Sequence, residues 1–125
     1  MEKITILYFC GVYNLVLAIF HLFFWKVFKW KETLNLGTKA NAIVIKIINN
    51  QLIYLFFFMA FMYFQFPQEL LNSKIGNVIL IGYSGFWIFR LIQQFIFLKM
   101  KGSFVIKLTI LFFIGAIIHL LPIIV

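Results

Sequence analysis

Acidic residues are nearly missing from this chain, which holds Glu2, Glu32 and Glu69 and no aspartate. That scarcity removes the paired carboxylates of acid–base hydrolysis and the carboxylate ligands of hard-metal catalysis. Cysteine is just as sparse. The lone Cys10 rules out an intrachain disulfide, and without a CxxC, CxxCH or Cys/His cluster neither a zinc nor an iron–sulfur site is expected. Charge of either sign amounts to 11% of the residues, against about 25% in ordinary soluble domains. What replaces it is apolar: 65% of the 125 residues are hydrophobic and 18 are phenylalanine. The mean hydropathy is +1.08. A soluble domain of this size leaves too much surface in water to hide so many apolar side chains, so the expected solvent is lipid.

The few charges divide the chain into four lengths. Between Lys3 and Lys26, and again between Lys46 and Glu69, lie 22 uncharged residues. Lys74 to Lys99 encloses 24 residues broken only by Arg90, and 104–125 is 22 residues broken only by Lys107. About 20 apolar residues cross roughly 30 Å of hydrocarbon as a helix, and continuous apolar runs without period-2 alternation are helices rather than barrel strands. The expected fold is therefore all-α: a polytopic membrane protein, one transmembrane domain over 1–125, built as a four-helix bundle with helices near 4–27, 42–66, 75–98 and 104–125. The first segment is too long for a signal-peptide core and ends without a small-x-small cleavage site, so it is expected to be retained. Pro67, directly after Phe66, should stop the second helix there.

The net charge of +8 does not point to nucleic acid, because the basic residues sit at the ends of hydrophobic runs. Lys26, Lys29, Lys31, Lys39, Lys46, Lys99, Lys101 and Lys107 gather around the first and third connections, with Lys3 and Lys74 on the other side. The positive-inside rule then puts the first and third connections in the cytoplasm of a cell-membrane protein, here an inner-membrane one, with both termini outside. Trp25, Lys26, Lys29, Trp30 and Lys31 (with Phe28 between them) interleave indoles and lysines at the end of the first helix. This is the pattern of an interfacial anchor contacting anionic lipid head groups.

Polar residues inside the spans are the candidate functional groups, because they are costly at that depth. Counted from their flanking lysines at 1.5 Å per residue, His21, Asn50 and Gln94 share a level about 6–8 Å inside the cytoplasmic boundary. Arg90 lies one turn deeper than Gln94 on the same face, and Tyr83, Trp87, Arg90 and Gln94 form one stripe. A polar layer of His21, Asn49, Asn50, Arg90, Gln93 and Gln94 is expected in the cytoplasmic half. No intramembrane acid can meet Arg90, so carbonyls, amides, water or a bound anion must. A lipid head group or a small anion would suit its forked guanidinium. The competing reading is plain structure: interhelical hydrogen bonds, or Arg90 snorkelling to the interface.

Other chemistry is thin. His21 and His119 differ in expected depth by about 15 Å, too far for both to ligate one haem iron at about 2 Å each; pairing across a dimer or a single-histidine site stays open. Ser84 has no histidine at matching depth, and His21 is three turns from Cys10 on the same helix, so Cys10 is expected to pack. His119 reads as a polar cap near the outer interface. Gly11, Ala18, Gly76, Gly82 and Gly85 are positions for close helix approach. Neither a cofactor nor a catalytic site is expected.

Small multidrug exporters of similar length carry an acid in the first helix, which is absent here. Dual-topology fluoride channels need glycine-rich and Thr/Ser/Phe motifs that are also absent. His21 with Trp25 closing the first helix, and Asn50-Gln51 with Tyr54 opening the second, resemble small bacterial four-helix membrane proteins, a resemblance that implies no activity. The expected role is a non-enzymatic membrane protein working as a homo-oligomer or beside a partner membrane protein. The alternative is a small transporter, channel or lipid-binding protein using the Arg90 layer.

Overall fold

The computed structural model describes residues 2–23, 38–97 and 102–125. Among them the chain is helical and contains no strand. The helices are α1 (Lys3–Leu22), α2 (Lys39–Gln65), α3 (Pro67–Asn72), α4 (Lys74–Phe97) and α5 (Ser103–Ile124). All but α3 are long and apolar enough to cross a membrane. Residues 24–27 of the expected first helix, and with them the anchor residues Trp25, Lys26, Lys29, Trp30 and Lys31, lie outside the described residues, as does 98 at the end of the third expected span.

Local chemistry sets the ends. Thr38 caps α2 by accepting the Asn41 N–H at 3.2 Å on its hydroxyl, while its carbonyl accepts from Ala42. This cap starts the helix at Lys39, one turn before the expected 42. At the other end Phe66 leaves the helical region, with φ −129° and ψ 42°. Pro67 stops α2 as expected, but the segment after it is not a plain connection. Proline at the first helical position loses nothing, because that N–H has no intrahelical acceptor, and so Pro67 opens α3. Ser73 joins α3 to α4: its N–H and its hydroxyl both donate to the Glu69 carbonyl, and its Oγ accepts the Gly76 N–H at 2.8 Å. Gly102, with φ +148°, precedes α5 in a conformation that favours glycine.

The described chain forms two compact units, Met1–Cys10 with Tyr63–Val125, and Gly11–Met62. In the first, α4 packs along α5 and α3 folds back on α4. Its core holds Leu7, Cys10, Tyr63, Leu70, Leu80, Trp87, Phe112 and His119. In the second, Asn14, Leu17, Ala18, His21, Asn49, Phe56, Met59 and Ala60 are buried. Gly76 is the close approach expected of it. A β-carbon there would press against the Glu69 carbonyl and stand 2.5 Å from Leu70 Cα. Gly82 and Gly85 are different, since they face outward with nothing within 4 Å of a β-carbon.

Candidate functional site

The stripe on α4 places its side chains as a helix must. Residues at steps of four, three and four fall on one face, and Tyr83, Trp87 and Gln94 are buried with Arg90 half-buried between them. Arg90 Nη1 donates to Gln94 Oε1 at 3.1 Å, the i, i+4 reach of neighbouring turns. Gln94 Nε2 in turn donates to Thr109 Oγ1 on α5 at 3.2 Å, and Thr109 Oγ1 donates to the Val105 carbonyl at 2.9 Å. The guanidinium also lies over the Phe112 ring, 4.0 Å from its centroid, so the ring's negative face meets part of the charge. Gln94 is the hinge of this chain, because its amide both accepts and donates. Gln93, one residue away and 100° round the helix, is half-buried.

Above Phe112 the stripe continues as rings. Trp87 stacks on Phe112 at 6.1 Å and on the His119 imidazole at 5.4 Å. Tyr83 and Tyr63 meet His119 edge-on at 5.2 and 5.9 Å. His119 is therefore no cap at an interface: it is 1% exposed, enclosed by three aromatic residues. Its Nδ1 lies 2.6 Å from the Gly115 carbonyl, and since a carbonyl only accepts, Nδ1 carries the hydrogen. Hydropathy located the histidine along α5 but could not show which side of that helix is covered.

Cys10 has a role that packing alone does not describe. Pro122 inside α5 has no N–H, so the carbonyl four residues earlier, that of Ile118, lacks its helical donor. The Cys10 thiol donates to that oxygen at 3.2 Å. The signal was present in the sequence as a proline within an apolar run, but the position of its donor, 108 residues away, was not. Cys10→Ala should lower stability by about 1 kcal/mol by leaving a part-buried carbonyl unpaired, while Cys10→Ser should keep it. Thermal unfolding in mild detergent checks this, and equal losses in both variants would mean that the hydrogen bond contributes nothing.

The remaining expected site residues belong to the other unit. His21 Nδ1 sits 2.8 Å from the Leu17 carbonyl, and its ring meets Phe56 edge-on at 5.0 Å. Asn49 Nδ2 donates to the His21 carbonyl at 3.1 Å, tying α2 to the end of α1, while Asn49 Oδ1 is buried without a partner among the described residues. Asn50 is exposed, as is Gln51. Of the six polar-layer residues, the structure thus joins Arg90 to Gln94 in one unit and His21 to Asn49 in the other.

Compared with family models, curated proteins and solved structures, the chain matches none. Function must be read from its own residues. Among the described residues no group of three or more His, Cys, Asp or Glu side chains could hold a metal ion.

Proposed function

We propose that the chain is an integral membrane protein without catalytic activity that works as an assembly, as a homo-oligomer or as a subunit of a larger membrane complex. Its four long apolar helices cross the cell membrane, with the lysine-rich first and third connections in the cytoplasm and both termini outside. The observation that carries this reading is how the Arg90 charge is met. Its guanidinium donates to Gln94 and rests on Phe112, and Gln94 passes the bond across to Thr109 on α5. A cation engaged in this way fastens α4 to α5. Large apolar side chains remain exposed along all four long helices, including Phe9, Ile47, Phe89 and Ile110, which is surface for lipid and for other chains.

A second reading is favoured by one feature. Arg90 and Gln93 stay half-exposed, and a guanidinium grips phosphate or carboxylate with two parallel N–H bonds. In that reading the side chains bind an anionic lipid head group or pass a small anion.

Arg90→Ala separates the two. If the assembly reading holds, native mass spectrometry of protein extracted gently from its membrane shows the same oligomer or partner chain before and after the substitution. Stability should fall by about 1 kcal/mol, the scale of the cation–π contact with Phe112 together with the i, i+4 hydrogen bond to Gln94. Loss of a bound anionic lipid from an otherwise intact species would favour the second reading instead.

A further inference from the structure

We propose that the outward face of α2 is the contact between two copies of this chain, with Asn50 at its centre; this rests on the assembly reading and specifies its homo-oligomeric form. Ile43, Ile47, Asn50, Tyr54, Phe57 and Phe61 follow one another in alternating steps of four and three. That alternation is the seam of a left-handed helix pair, the commonest crossing among membrane helices. All six are exposed, Tyr54 at 69%, and together they form a stripe about 120° round α2 from the buried Asn49, Phe56 and Ala60. Of the four long helices, α2 buries least of itself within its own chain.

The polar member decides the occupant. Asn50 lies four residues past Lys46, about 6 Å farther into the span by helical rise. Its amide has no partner among the described residues. Lipid tails offer it neither donor nor acceptor, so at that depth an outward asparagine is costly. An amide has both a donor and an acceptor and is complementary to another amide. Two copies inserted with the same orientation are related by a two-fold axis along the membrane normal, so each residue on the axis faces its own equivalent at the same depth. Asn50 of one copy then meets Asn50 of the other and closes a reciprocal pair of hydrogen bonds. Tyr54, stacked on Phe58 at 6.4 Å with rings 3° from parallel, presents a flat aromatic surface one turn deeper. A single polar residue in an apolar seam also sets register, because any slip along the pair breaks the amide contact.

The test is cysteine cross-linking in native membranes, in full-length protein carrying Cys10→Ser. Ile47→Cys, Tyr54→Cys and Phe61→Cys should form disulfide dimers with copper–phenanthroline, while Val44→Cys and Ile48→Cys, equally exposed on other faces of α2, should not. Asn50→Leu should weaken dimerisation roughly 3- to 20-fold, the span of one interhelical hydrogen bond in a membrane, and Asn50→Gln should recover part of it. Cross-links confined to Val78→Cys or Phe89→Cys on α4 would overturn the α2 seam and leave the homo-oligomer standing. A single copy bound to an unrelated chain would overturn the second-copy proposal while the subunit reading survives. A lone monomer would remove both.

Discussion

Trp87→Ala should be the most damaging single truncation in the chain, lowering stability by about 3 kcal/mol, the low end of the range for deleting a buried aromatic. Trp87 is the largest fully buried side chain, and its indole stacks on both His119 and Phe112 while Tyr83 and Phe86 meet it edge-on. The low end is expected for a physical reason. For helices that cross a bilayer, as proposed, the unfolded state already sits in an apolar medium, so little transfer free energy is lost with the ring. What is lost is the dispersion contact of its neighbours with a space they cannot collapse to fill. Trp87→Phe keeps part of that contact and should cost about a third as much on the same scale. The Cys10 thiol, buried in the same unit, reports the opening directly. Its labelling by a maleimide should begin at lower denaturing-detergent fraction in Trp87→Ala than in the parent protein. An unchanged labelling profile would mean that the ring stack is ornamental.

Gly76→Ala and Gly82→Ala, the same substitution six residues apart on one helix, should part in their effect: the first destabilises and the second does not. At Gly76 the new β-carbon meets backbone, the Glu69 carbonyl with Leu70 Cα and carbonyl, and no rotamer change can relieve that. The turn between α3 and α4 must open, at a cost of about 1–3 kcal/mol. The Ser73 hydroxyl that caps Gly76 would be drawn out of line in the process. At Gly82 nothing lies within 4 Å, so alanine adds only helix propensity, neutral to stabilising by up to about 1 kcal/mol. Thiol labelling of Cys10 measures both. Equal losses at the two positions would show that the approach of α3 to α4 does not constrain residue 76.

Much of the Arg90 stripe was legible because it lies on one helix. Tyr83, Trp87, Arg90 and Gln94 share a face by helical geometry alone, and the Arg90–Gln94 bond follows from i, i+4 spacing. Neighbouring polar residues were not separable in the same way. Asn49 and Asn50 differ by 100° around α2, and only the position of α1 shows that Asn49 reaches the His21 carbonyl while Asn50 faces out. Gly82 and Gly85 read as contact positions beside Gly76 because a missing side chain is the same letter whether a backbone approaches it or not. The segment after Pro67 read as a connection because six residues are too few to show a helical period, and its helix depends on the proline and Ser73 at its ends.

The sequence by itself determined that the chain is helical, with four segments long and apolar enough to cross a membrane, and which residues share a face of each. These are matters of composition and of a repeat of 3.6 residues, both local to the segment that carries them. Only the tertiary structure decided that Thr109 receives the amide of Gln94, that Cys10 supplies the donor Pro122 takes from Ile118, and that His119 lies among Tyr63, Tyr83 and Trp87. Each of these joins groups from different helices. Where one helix lies against another depends on how side chains fit across the contact, and no periodicity within a single segment records that fit.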